Sequence, residues 1–260
     1  MNVIQALYDQ IEELRNDYIN GSSAIALHAL DIITAAIDLK TGRDMSFPRD
    51  VAEKLIKAKP SMSAIATVVR YAMKDYSKSV GKVKKYFCNH VRERFLQCTE
   101  DSIDECFRSL FRDKSKKVTV ITCSYSNNVS GVLIRAYLNG FKLKVYTLQS
   151  LWRDRDYADV LASVLNRNGI MTEKISLKQL SKTASKADFA LIGCDGMNLQ
   201  GRALNGLPSL EMAKSIYNFL PLYIVGESFK KTDKLLSADG FEIIPAKYIK
   251  KIFSDTQSWI

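Results

Sequence analysis

Near residue 114 the hydrophobic pattern of this chain changes its period, and that change constrains the fold more than any other feature. On the N-terminal side, Val3, Leu7, Ile11, Leu14 and Tyr18 recur at three- and four-residue steps, the spacing of one helix face. Gly21, Ser22 and Ser23 interrupt it, with a Ser as the expected N-cap of a second helix through Ile25, Leu27, Leu30 and Ile33 to about Lys40. A loop at 41–48 and a short helix at 51–58 are expected next. Pro60 suits the first turn of another helix, which carries Ile65, Val68 and Val69. A long helix then spans about 79–111, through Val83, Phe87, Val91, Phe95 and Phe107.

Beyond Lys114 the chain reads differently. VTVITC is a short β-branched run of the kind that forms a buried strand. Strands are expected at about 118–123, 142–148, 171–176, 188–193 and 221–227, and helices near 128–139, 156–168 and 207–218. Strands alternating with amphipathic helices build βαβ units around a parallel sheet covered on both faces. The expected fold is therefore α/β: a helical N-terminal domain, 1–113, followed by a Rossmann-like domain with a mostly parallel sheet, 114–260.

With 47% hydrophobic residues among 260, the chain can bury a sizeable core, which excludes global disorder. No apolar run is long enough for a membrane span, and the N-terminus mixes charges into its apolar positions, unlike an export signal. Cys88, Cys98, Cys106, Cys123 and Cys194 are odd in number and match no zinc spacing. They read as reduced thiols of a cytoplasmic protein, with no metal, cofactor or membrane partner expected. The net charge of +10 is concentrated in the second part: +3 over residues 1–116 and +7 over 117–260. Such a balance fits nucleic-acid contact, phosphorylated small ligands or a plain solvated basic surface.

In open parallel sheets ligands sit beyond the carboxyl ends of the strands. Ile121–Asn128 ends the first strand, and Ser126, Asn127 and Asn128 either cap the following helix or hold an anion on its free N–H groups. There is no GxGxxG fingerprint. In Leu191–Asn198, Asp195 stands at a strand tip between Gly193 and Gly196, whose small size permits close approach of a ligand. A carboxylate there either acts as a general acid or base or closes a loop by hydrogen bonds. Asn205 and Ser209, then Glu227, Ser228 and Lys230, complete a polar rim.

In order and spacing these segments resemble the translation initiation factor 2B α/β/δ family, which includes ribose-1,5-bisphosphate isomerase and methylthioribose-1-phosphate isomerase. The family pattern of a T-H-x-x-S-like strand end, G-A-D, N-K-x-G-T and A-E-S/T-x-K is met by Thr122 to Ser126, Gly193-Cys194-Asp195, Asn205 to Ser209, and Gly226 to Lys230. The C-terminal F-D-x-x-P-x-x-Y-I is met by Phe241 to Ile249. Asn20-Gly21-Ser22-Ser23 and Ala58-Lys59-Pro60-Ser61 stand where R-G-A-x and T-R-P-T are expected, so the likeness runs over about 15–250.

The resemblance implies Asp195 as the catalytic carboxylate, and Lys59, Ser126, Asn205, Glu227 and Lys230 around a sugar phosphate or nucleotide. It also implies association through the C-terminal domain, with Phe241, Ile243, Ile244, Tyr248, Ile249 and Ile252 as a contact surface, a sheet edge or ordinary core, and a translation initiation factor as a possible partner. The departures are specific. Ser124 occupies the place of the isomerases' catalytic Cys, Gly206 that of a Lys, and Asn20 and Lys59 those of two Arg. A serine hydroxyl is a much poorer acid than a thiol and does not simply replace it in proton transfer, and Lys is not equivalent to Arg for bidentate phosphate binding. Three readings follow: a non-enzymatic regulatory subunit with a ligand crevice, a sugar-phosphate aldose–ketose isomerase, or a generic phosphate-ligand module.

Overall fold

The computed structural model describes residues 3–39, 44–78, 84–238 and 240–255. Two compact units result, Met1–Gln97 and Cys98–Ile260.

The first unit is helical. It holds α1 (Val3–Arg15), α2 (Ser22–Asp38), α3 (Ser46–Ala58), α4 (Ser63–Lys78) and the first half of α5 (Lys84–Leu110). Leu7, Ile11 and Leu14 make the buried stripe of α1. α2 is apolar on most of its circumference and packs against α1, α3 and α4, as a helix without a polar face must. Its cap differs from the expectation: Gly21 is the N-cap, and Ser22 and Ser23 lie inside the helix, buried. α3 starts earlier than expected, at Ser46, and tolerates Pro48 because the first-turn N–H groups have no intrahelical acceptor. Pro60 does not open α4. It lies in a turn closed by Met62 N–H on the Lys59 carbonyl at 3.0 Å, and α4 follows at Ser63. Residues 79–83, which include Val83, and the Phe87 side chain lie outside what is described, as do Lys40, the expected end of the second helix, and 41–43 of the expected loop.

The second unit is built on β1 (Lys117–Cys123), β2 (Lys142–Leu148), β5 (Thr172–Ile175), β6 (Phe189–Ile192), β9 (Leu222–Val225) and β11 (Lys251–Phe253). They form one parallel sheet in the order β11-β9-β6-β1-β2-β5. Counted along the chain this is 3-2-1-4-5-6, the doubly wound order whose switch point lies between β1 and β6. Alternation sends Ile121 and Cys123 to one face and Val120 to the other. The first face is covered by α8 (Leu177–Ala184) and α9 (Ser209–Ile216), through Leu180, Met212 and Ile216. The second is covered by α6 (Asn127–Leu138), α7 (Tyr157–Arg167) and the end of α5, through Val132, Leu165 and Cys106.

Two smaller sheets lie outside this pattern. β7 (Gly196–Met197), β8 (Ala203–Gly206) and β10 (Phe241–Ile244) are antiparallel, and β3 (Leu151–Trp152) pairs with β4 (Arg155–Asp156). The stretch after Phe241 thus splits into β10, with Ile244 buried, and β11 at the edge of the large sheet. Among the described residues no helix is long and apolar enough to cross a membrane, and no group of three His, Cys, Asp or Glu is placed to hold a metal ion.

Candidate functional site

The carboxyl ends of β1, β6 and β9 converge at the switch point. The backbone turns sharply after β1: Ser124 has a φ of 63°, a left-handed conformation that a non-glycine residue holds only when its surroundings impose it. The imposing group is Ser150, whose hydroxyl accepts the Ser124 N–H at 2.9 Å and donates to the Leu148 carbonyl at 2.8 Å. Because that donation uses its one proton, the Cys123 thiol, 3.4 Å away, must donate to it as well. Ser209 closes the same cluster from the start of α9. It accepts the Asn205 amide at 2.8 Å and lies 3.7 Å from the Cys123 sulfur. Cys123 is 2% exposed, and burial pushes its thiol up to about 11, against the hydrogen bonds of Ser150 and Ser209. Asn205 is buried in register with Glu242 of β10.

Ser126 is the N-cap of α6, its hydroxyl accepting from Val129 N–H. A side chain at Gly193 would collide with it, so the room expected for a ligand at Gly193 holds Ser126 instead. Asp195 follows β6, half-buried, with its N–H on the Leu204 carbonyl at 2.7 Å. Beneath it lies Cys194, whose sulfur would stand 2.6 Å from a Cβ at Gly226.

Under β9 the floor is ionic. Glu227 is fully buried, and Lys230, 2% exposed, reaches its Oε2 at 3.2 Å. Asn128, on the first turn of α6, donates its amide to the same oxygen at 2.7 Å, leaving its own buried Oδ1 without a partner. Burial acts to lower the Lys230 pKa, but Glu227, Cys194 and Asp195 together outweigh it and hold Lys230 above the ordinary lysine value. The pull of Asp195 and Glu227 on one ammonium, and the rise of the Cys194 thiol to about 12 through burial despite Lys230, put all four groups in one field.

Of the residues singled out from the sequence, Ser126, Asp195, Glu227 and Lys230 thus gather about the β6 tip, and Ser124 and Asn205 about the β1 tip. Gly206 links the groups of the second cluster: a Cβ there would stand 3.0 Å from the Ser124 hydroxyl. Lys59 belongs to the first unit, where its ammonium lies 4.3 Å from the centroid of the Tyr18 ring. Lys230 does not present a free cation, because its charge is spent on Glu227 inside the protein.

Two further residues support the site. Asp255, 4% exposed, accepts the Ser228 N–H at 2.6 Å and its hydroxyl at 2.7 Å, and its own N–H donates to Ser102 of α5 at 2.8 Å. It fixes the short 3₁₀ turn Ser228–Lys230 that carries the ion pair. Ser150 is the other. The sequence points to it as the end of the stretch Thr147–Ser150 closing the second strand, where ligands of parallel sheets sit, and gives no signal for Asp255.

Comparison with known proteins settles the family. The model of the Initiation factor 2 subunit family matches residues 18–239. The chain belongs to that family. It is 24% identical to the "Putative translation initiation factor eIF-2B subunit 2-like" of Pyrococcus furiosus, over 94% of this chain and 93% of that one. It is also 20% identical to the ribose 1,5-bisphosphate isomerase of Methanocaldococcus jannaschii, over 98% and 91%. Among solved structures, the Pyrococcus horikoshii OT3 translation initiation factor eIF-2B superposes with a TM-score of 0.80 at 20% identity, covering 96% of this chain and 95% of that one. A chain of the tetrameric eIF2B-β2-δ2 complex of Chaetomium thermophilum superposes with a TM-score of 0.79 at 14% identity, covering 96% and 91%. The chain is thus similar in sequence both to a protein named as an initiation-factor subunit and to an isomerase, and it shares its fold with the two solved initiation-factor chains.

Proposed function

We propose that this chain is a regulatory, non-enzymatic subunit of the initiation factor 2B kind, working in the cytoplasm, with a crevice at the switch point that binds a sugar phosphate or a nucleotide. The observation that carries this reading is the pair Cys123–Ser124. The resemblance puts the isomerases' thiol at position 124, and here a hydroxyl stands there. The neighbouring thiol is sealed, donates to Ser150 and has its pKa pushed up to about 11, so thiolate is scarce near neutral pH. Asp195, half-buried in the field of Lys230, would then bind and orient ligand hydroxyls rather than move a proton.

Phosphate recognition falls to the start of α6. The first N–H groups of a helix have no intrahelical acceptor, and here the Ser126 hydroxyl takes one of them, that of Val129. Lys230 serves this site by holding Glu227 and the turn in place. Association with like subunits through the second unit, and with a translation initiation factor, completes the proposal. It is in keeping with the tetrameric complex in which a chain of the same fold was solved.

The test is a thermal-shift series with AMP, ribose 5-phosphate and ribose 1,5-bisphosphate, run beside an isomerase assay on the same protein. The reading expects one of these to stabilise the fold, by about 2.7 kcal/mol at a hundredfold excess over its dissociation constant, with no ketose formed. Turnover abolished by Asp195→Asn would establish the isomerase reading instead. Absence of any shift would leave the crevice without its ligand and refute the proposal. A strict monomer by light scattering at micromolar concentration would remove the association.

A further inference from the structure

The opposite end of the sheet carries a different signal. At the amino ends of the strands, Lys114, Lys116, Lys117, Lys142, Lys186 and Lys250 are all exposed, and none makes an ion pair among the described residues. The two other lysines of this edge are spoken for: Lys144 pairs with Glu173 at 3.3 Å and Lys251 with Glu105 at 3.2 Å. Two exposed carboxylates, Asp113 and Asp188, offset part of this charge, with Asp113 in the field of Lys116, and six lysines against two aspartates leave the edge net positive. Asp188 accepts the Thr119 N–H and Asp113 caps Ser115. Lys117 and Lys142 are direct register partners on β1 and β2, so two ammonium-bearing residues start adjacent strands about 4.8 Å apart. Like charges so placed oppose the pairing. Phe219, 51% exposed, stands on the same edge in the turn before β9, whose first carbonyl, that of Leu222, accepts the Lys250 N–H at 2.8 Å.

We infer that this edge binds single-stranded nucleic acid through its phosphate backbone, with Phe219 as a stacking platform for a base. The five strands from β11 to β2 span about 19 Å, long enough for a few nucleotides of a single strand. Lysines are flexible point charges that track a backbone without reading sequence, and an aromatic among them is the combination used by sequence-tolerant single-strand binders. An acidic peptide matches the charge but not the exposed ring. The crevice lies at the other end of the strands, so the two sites stand or fall separately.

The experiment is fluorescence anisotropy of labelled oligouridine with the full chain, as a function of salt. Binding is expected at low salt and should weaken steeply as salt rises. Lys117→Gln/Lys142→Gln should flatten the log–log salt slope by about 1.4, roughly 0.7 for each phosphate no longer neutralised. Phe219→Ala should weaken binding about tenfold with the slope unchanged, as expected when one base no longer stacks. Lys178→Gln/Lys234→Gln removes the same charge from exposed positions at the carboxyl end and should change neither. Absence of binding at low salt, equal loss in that control, or displacement by polyglutamate at equal charge as effective as by unlabelled oligouridine would overturn the inference. All four side chains changed in the charge variants are exposed, and unchanged melting temperatures will separate binding from folding.

Discussion

Two floors support the same crevice, and they are made differently. Under β9 the floor is ionic: Glu227, Lys230 and Asn128 in one buried cluster, buttressed by Asp255 through Ser228. Under β1 it is neutral: Cys123, Ser150, Ser209 and Asn205 share single hydrogen bonds around the left-handed Ser124. Removing one member of a buried ion pair strands a charge, whereas removing a hydroxyl strands only neutral donors and acceptors. The ionic side therefore fixes the position of the crevice wall, and the neutral side fixes the conformation of one residue. The difference also shows why the presence of a lysine in a motif does not establish a phosphate-binding cation.

The largest effect is expected from Lys230→Met. It takes from buried Glu227 the cation that offsets its charge and should cost about 3–5 kcal/mol in denaturant unfolding. Lys230→Met/Glu227→Leu should recover most of that loss. If the single variant is as stable as wild type, the ionic floor is not what holds the β9 turn. Asp255→Ala comes next. It strips a charged acceptor from the Ser228 N–H and hydroxyl, and about 2–3 kcal/mol should be lost.

The packing of the β6 tip on the start of α6 can be probed by Gly193→Ala. Its methyl group collides with Ser126, at a cost of about 1–3 kcal/mol. Ser126→Gly should relieve that, since glycine is a passable N-cap. Equal losses in the presence and absence of Ser126→Gly would show that the two sites do not touch. On the neutral side Ser150→Ala should cost about 1–3 kcal/mol, by leaving the Ser124 N–H, the Cys123 thiol and the Leu148 carbonyl without that hydroxyl.

Alkaline titration gives the smallest and broadest effect. The Cys123 and Cys194 thiols lie at about 11 and about 12 in the fold, against ordinary values near 9, and Lys230 is also raised. Groups with a raised folded pKa hold their protons more tightly in the native state, so their contribution is intact below pH 9 and is lost as pH climbs toward 11 and 12. Stability measured from pH 8 to 11 should fall steadily, and Cys123→Ala should remove part of the slope. Stability that rises over that range would contradict the burial of both thiols.

Much of the fold was legible in the sequence because it rests on periodicity. The β-branched run Val118–Cys123 and the alternation after it mark the parallel sheet, and five of its strands fall where expected, within a few residues. β7, β8 and β10, with two to four residues each, are too short to show a period, and β11 follows a 3₁₀ turn that hides it. Ser126 as a cap was readable from its place before an amphipathic helix. The state of Lys230 was not: Glu227 three residues earlier suits a solvated pair as well as a buried one, and only the closure of the core decides. Asp255 acts on Ser228 across 27 residues, beyond any local pattern.

The central claim is that the family's crevice persists here without thiol chemistry. The most direct measurement is conversion of ribose 1,5-bisphosphate by the wild-type chain, by Ser124→Cys and by Asp195→Asn, followed by proton NMR over hours at neutral pH. The account predicts no ketose from wild type, and none approaching an isomerase's rate from Ser124→Cys while Asn20 and Gly206 stand where the resemblance expects cations. Ketose formed by the wild-type chain, and lost in Asp195→Asn, would contradict it.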